Sequence, residues 1–120
     1  MDEKVVLRYR DGRTERTLLD PIDPTREVLT THQDDGVKVD VPFSALKAVF
    51  FPRTVAEDGE LEPASGMQLA IEFNDGEVIR GIAHYNPERN GFFLFPQDRS
   101  KNDRIFVVNS AIVSIEVEKM

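Results

Sequence analysis

The sequence contains no cysteine and no tryptophan, and only two histidines. Without cysteine there is no disulfide, no thiolate nucleophile, no Cys-ligated zinc and no iron–sulfur cluster. Long apolar runs are also missing. The longest, Gly91-Phe92-Phe93-Leu94-Phe95-Pro96, is strand-length, well short of the roughly 20 residues a membrane-crossing helix needs. There is no GxxxxGK(S/T) or GxGxxG phosphate loop, and Ser44, Ser65, Ser100, Ser110 and Ser114 all lack a GxSxG elbow. His32 and His84 have no HxH or HxxxH companion, so neither has metal-ligand spacing. The carboxylates are scattered; Asp34-Asp35 reads as a turn and Glu57-Asp58 as a solvated linker. The expectation is a non-enzymatic protein with no catalytic residue, metal or cofactor. Positive charge is scarce too. Lys and Arg number 15 against 22 Asp and Glu, a formal net charge of −7, which repels a phosphate backbone at long range and argues against nucleic acid. Met1-Asp2-Glu3-Lys4 leads into a strand pattern with no basic-then-apolar leader, so the reading is a cytoplasmic protein without a membrane segment.

What is present is a repeat. The chain has 120 residues, 40% of them hydrophobic, enough for one ordinary domain or two very small ones sharing an interface. A shift of 64 carries Val5-Val6-Leu7-Arg8-Tyr9-Arg10-Asp11-Gly12 onto Leu69-Ala70-Ile71-Glu72-Phe73-Asn74-Asp75-Gly76. A shift of 66 then carries Val39 and Val41 onto Ile105 and Val107, and Ser44-Ala45-Leu46 onto Ser110-Ala111-Ile112. Each half reads as five short strands. Val5, Leu7 and Tyr9 alternate with Val6, Arg8 and Arg10, and a period of two means one buried and one wetter face. Asp11-Gly12 and Asp75-Gly76 are hairpin signals of the two-residue type I′ kind. Strands follow at 13–19, 27–32, 37–41 and 46–51, and again at 77–84, 91–95, 104–108 and 112–117. The small residues before each fifth strand suit a 3₁₀ turn. In the last strand Val113, Ile115 and Val117 are read as one face.

Five strands with a 3₁₀ turn before the last is the plan of a small SH3-like or Sm-like barrel. The expected fold is therefore all-β, a tandem pair of such barrels related by internal repeat. The first spans residues 1–53, a linker rich in Glu, Asp, Pro and Gly spans 54–66, and the second spans 67–120. Barrels of about 50 residues are marginal alone, so the two should share an apolar contact. Phe50 stands where its counterpart is Glu116, and the strand from Gly91 has Phe92 and Leu94 on one face, Phe93 and Phe95 on the other. A strand apolar on both faces is covered on both. Phe50, Phe92 and Leu94 are the candidate strip, either packing the halves together or receiving a protein partner or a second copy. The stretch 86–104 gathers Arg89, Arg99, Lys101 and Arg104 in an otherwise acidic chain. Its Asn and Asp residues suit turn-closing hydrogen bonds. Alternatively, Arg89, Arg99 and Arg104 are candidates for holding an anion or a partner's carboxylate.

Leu46-Lys47-Ala48-Val49-Phe50-Phe51, the Gly91–Pro96 run and Asn102-Asp103-Arg104-Ile105-Phe106-Val107-Val108 together resemble an uncharacterised bacterial family of short all-β proteins, over nearly the whole chain. That family carries an Asn-Asn-like pair where this chain has Asn102-Asp103. Related segments accompany PilZ and response-regulator modules, so the resemblance implies a regulatory or scaffolding accessory rather than an enzyme. Two nucleotide-directed alternatives rest on fainter likenesses. Asp98-Arg99-Ser100 resembles part of the PilZ motif, but Asp103 stands where that motif has Gly and no RxxxR precedes it. Asp75-Gly76 with Arg80-Gly81 resembles the start of the Sm motif, which in Sm-like proteins implies RNA binding. The leading expectation is a non-enzymatic protein-interaction module; the alternative is an RNA- or nucleotide-binding Sm-like or PilZ-like module.

Overall fold

The computed structural model describes residues 3–23, 25–33, 35–52, 66–97 and 101–118. The linker 54–65 and Arg99 lie outside the described residues. The strands are β1 (Glu3–Tyr9), β2 (Thr14–Leu19), β3 (Val28–His32), β4 (Lys38–Pro42), β5 (Leu46–Pro52), β6 (Met67–Phe73), β7 (Val78–Ala83), β8 (Gly91–Pro96), β9 (Asn102–Val108) and β10 (Ile112–Val117). Single 3₁₀ turns at Phe43–Ala45 and Asn109–Ala111 precede β5 and β10. The fold is all-β.

Two closed barrels are not what forms. The strands make one antiparallel sheet in the order β10-β6-β7-β8-β9-β5-β1-β2-β3-β4, which does not close on itself. The reason lies in the middle of that order, where β5 pairs with β9. Both strands are apolar on both faces. Val49 lies opposite Phe106, and both enter a first core with Val5, Leu7, Leu29, Val41 and Phe43. Phe50 lies opposite Ile105, and both belong to a second core with Leu69, Ile71, Phe73, Phe92 and Leu94. Directly opposed residues share a face and neighbours alternate, so the two cores lie on opposite faces of the β5–β9 ribbon. Each core borrows from the other half: Phe106 and Val108 complete the first, and Ala48 joins the second.

The registers of the two halves coincide. The six β1–β2 pairs from Glu3↔Leu19 to Arg8↔Thr14, advanced by 64, are the six β6–β7 pairs from Met67↔Ala83 to Glu72↔Val78. The first and last strands match as well, including a bulge. Arg8↔Ala48 and Tyr9↔Leu46 skip Lys47, as Glu72↔Ser114 and Phe73↔Ile112 skip Val113. That extra residue corrects one expectation: Val113 does not share a face with Ile115 but stands in the bulge, 62% exposed. The third strand also corresponds at an offset of 63 rather than 64, since Leu29↔Val41 matches Phe92↔Val107.

The Asp-Gly turns form, but not as two-residue type I′ turns. No non-glycine among the described residues has positive φ, and type I′ requires one at each central position. Instead Gly12 donates to the Tyr9 carbonyl at 3.1 Å and Tyr9 donates to the Arg13 carbonyl at 2.9 Å, with Gly12 at φ +95°. This is a three-residue loop ending in a left-handed glycine, and Gly76 repeats it at φ +90°. Asp11 and Asp75 close the turns by accepting the amides of Arg13 and Glu77 at 3.0 and 2.9 Å.

Because Phe106 belongs by sequence to the second half and by packing to the first core, Phe106→Ala should cost about 3–5 kcal/mol. The chain should still lose both cores in a single denaturant transition, followed by far-UV circular dichroism and by methyl resonances of Leu7 and Ile71. Separate transitions for the two methyls would contradict the shared ribbon.

Candidate functional site

Of the five candidate residues among those described, Phe50, Phe92 and Leu94 meet at the second core, and Arg89 and Arg104 lie apart from them. On β8, Phe92 and Leu94 are 5% and 0% exposed, on the face that lines the second core, against which Phe50 of the first half also packs. The opposite face of β8 carries Phe93, 37% exposed and in edge contact with Phe106 at 5.2 Å between ring centroids. Phe50 is half-buried against the second core, with the Arg8 guanidinium 4.9 Å from its ring centroid. Arg104 lies on the other face of the ribbon, 4.3 Å from the Phe51 ring and 5.4 Å from Phe93, with Nη1 3.1 Å from Asp103 Oδ2. It borders a hollow of about 210 Å³ shared with Leu19, Asp20, Pro21 and Ile22.

Arg89 is exposed on the loop before β8. Its carbonyl and that of Asn86 each accept from Asn109 Nδ2 at 2.8 Å, and Asn86 Oδ1 accepts the Glu88 amide at 3.0 Å. Asn86 therefore closes a turn, while Asn90 Nδ2 donates to the Arg26 carbonyl in the other half. Gly81 also has a packing reason: a Cβ there would run into the Phe95 carbonyl and the Leu94 side chain.

Lys47, which the strand pattern does not single out, is the most buried cation among the described residues, with its side chain 5% exposed. The β5 bulge turns it toward the β6–β7 turn. There Nζ donates to Asp75 Oδ2 at 2.7 Å and to Glu77 Oε1, 4.9 Å from the Phe73 ring centroid. Arg8 Nη1 reaches the same Glu77 oxygen at 3.2 Å. The Lys47 hydrogen bond, then the Glu77 amide, hold the Asp75 carboxyl below its ordinary value of 3.8. The cluster ties the halves together. Among the described residues no group of three or more His, Asp or Glu is placed to hold a metal, and no helix is long and apolar enough to cross a membrane.

Val39, Val113 and Val117 are exposed at the two ends of the sheet, while Val78, Tyr85 and Phe93 are exposed on β7, the loop after it and β8. On β10, Val117 is 57% exposed, whereas Phe51, which holds the corresponding register on β5, is 4% exposed under β9. Met67 on β6 and Val113 in the β10 bulge are exposed as well. On β4, Val39 is 43% exposed where its counterpart Ile105 is 3%. Sequence reasoning missed these edges because an unpaired strand reads like a paired one. The only available signal was the exchange of Phe50 for Glu116 between the halves.

The chain belongs to the DUF6982 family. That family, described as a family of unknown function, is matched over residues 1–119. No curated protein and no solved structure matches the chain.

A carboxyl with a lowered folded value stabilises the fold above its unfolded value, and that contribution is lost as pH falls through the folded value. Asp75→Asn should therefore lower the denaturation midpoint at pH 7, and the gap from the parent chain should shrink as pH drops below 3.8. A gap of constant size across urea titrations at pH 7, 5 and 3 would contradict this account of Asp75.

Proposed function

We propose that the chain is a non-enzymatic protein-interaction module of the regulatory or accessory kind, which engages an extended segment of a partner along the outer side of β10. The single observation carrying this reading is the exposure of β10. The same strand position is covered in one half of the molecule and uncovered in the other. Exposed sheet edges recruit partner strands by main-chain pairing, with specificity from alternate side chains. The matching registers support a duplicated five-strand unit of the small SH3-like or Sm-like type, opened where its own neighbour docks. In the first unit β9 fills that opening; in the second unit nothing among the described residues does. The β4 edge suits a partner less, because it carries Lys38 and Asp40 and ends at Pro42, three devices that discourage pairing.

An RNA- or nucleotide-binding role has less support. Arg8, Arg13, Lys38, Lys47, Arg80 and Arg104 each face a carboxylate within 3.4 Å, and the chain carries a formal net charge of −7.

A photo-crosslinking residue in place of Val117 should capture a partner in the native cell, while the same residue in place of Val39 should not. Val117→Lys, with unchanged circular dichroism, should reduce recovery of that partner at least ten-fold. Equal capture from both edges would remove β10 as the site. Salt-sensitive retention of labelled oligoribonucleotides by the unmodified chain would favour the nucleic-acid reading.

A further inference from the structure

The residues facing an incoming strand specify its chemistry. Resting on the reading of β10 as a docking edge, we infer that the strand it takes alternates apolar with basic residues and comes from a different protein, not from a second copy of this chain. The β5–β9 joint supplies the template. There Ala48 faces Val107, Val49 faces Phe106, Phe50 faces Ile105 and Phe51 faces Arg104. Advanced by 66, the β5 positions become Ser114, Ile115, Glu116 and Val117.

Ile112 and Ile115 pack on the second core, and Val117 follows on the same face. An incoming strand therefore needs an apolar residue opposite Ile115, where the joint has Phe106. The opposite face has changed character. Where β5 carries Ala48 and Phe50, β10 carries Ser114 and Glu116. Glu72 lies beside Ser114, whose hydroxyl donates to its Oε1 at 3.3 Å. Glu118 follows, 3.4 Å from the Arg80 guanidinium. Three carboxylates against one guanidinium favour cations at the positions opposite Ser114 and Glu116, and opposite charges directly across a ladder stabilise it where like charges destabilise it.

The β4 edge of a second copy offers the wrong strand. Its β4, set in the register of the joint, would bring Asp40 opposite Ile115 and Val39 opposite Glu116. That puts a carboxylate on the apolar face and a valine on the acidic one. Asp40 is moreover engaged by the Thr30 hydroxyl at 2.8 Å.

The probe is an octapeptide with the sequence of residues 102–109 carrying Ile105→Lys and Val107→Lys, titrated into the full chain and followed by fluorescence anisotropy. It should bind at least ten-fold more tightly than the peptide carrying Ile105→Glu and Val107→Glu, and should slow amide exchange in residues 112–117. Glu116→Lys in the chain should reverse the preference, with the fold checked by circular dichroism. If the Glu peptide or the unaltered sequence binds as well as the Lys peptide, the edge reading stands and the basic partner is wrong. If no peptide binds, the edge reading itself fails and takes this inference with it. Sedimentation of the chain alone as a concentration-dependent oligomer, abolished by Glu116→Lys, would make the occupant a second copy and overturn the proposal.

Discussion

The pairing of β5 with β9 is the constraint on which the molecule depends. Each of these strands has two apolar faces, and a strand of that kind at a sheet edge would leave one of them wet. Joined side by side, they supply a wall to a core on either side. Val49 and Phe106 face one way, Phe50 and Ile105 the other. Burial at roughly 25 cal/mol per Å² of apolar surface thus acts on both faces of one ladder. Neither half has a complete core without a strand from the other, and the chain is short enough for that dependence to matter. Lys47 reinforces the joint: the bulge that interrupts β5 sends its ammonium across to Asp75 and Glu77 on the far hairpin.

The joint is also asymmetric. It uses the fifth strand of one half and the fourth of the other, leaving β4 and β10 as ends of different chemistry. Among the residues that changed between the halves are two that face a neighbour: Phe50 corresponds to Glu116 and Phe106 to Asp40. Residues facing their own core stayed apolar, as Val41 with Val107 and Val49 with Ile115. These exchanges leave the sheet apolar on both faces in the middle and place carboxylates on its two end strands.

Much of this was legible in the residues. Alternation at Val5–Tyr9 and Leu69–Phe73, the Asp-Gly turns and the small residues before β5 and β10 locate the elements to within a residue or two. What the pattern could not supply was the choice between faces where both are apolar. Phe92 and Phe93 are equally hydrophobic, and only the pairing of β8 with β9 decides that Phe92 goes inward. Period two fixes alternation but not its sign. The bulges at Lys47 and Val113 were invisible for a related reason: one added residue shifts the phase without altering composition. Closure is a third case. A five-strand unit that closes on itself and one that opens to receive a neighbour have the same strand pattern, and the difference rests on the long-range contact of Phe50 with Ile105.

Unlike ends give the molecule a sense of direction. The chain extends 46 Å along its longest axis, and its sheet begins at one kind of strand and finishes at another, with no two-fold relation between them. Its two margins therefore differ, as a plug differs from its socket.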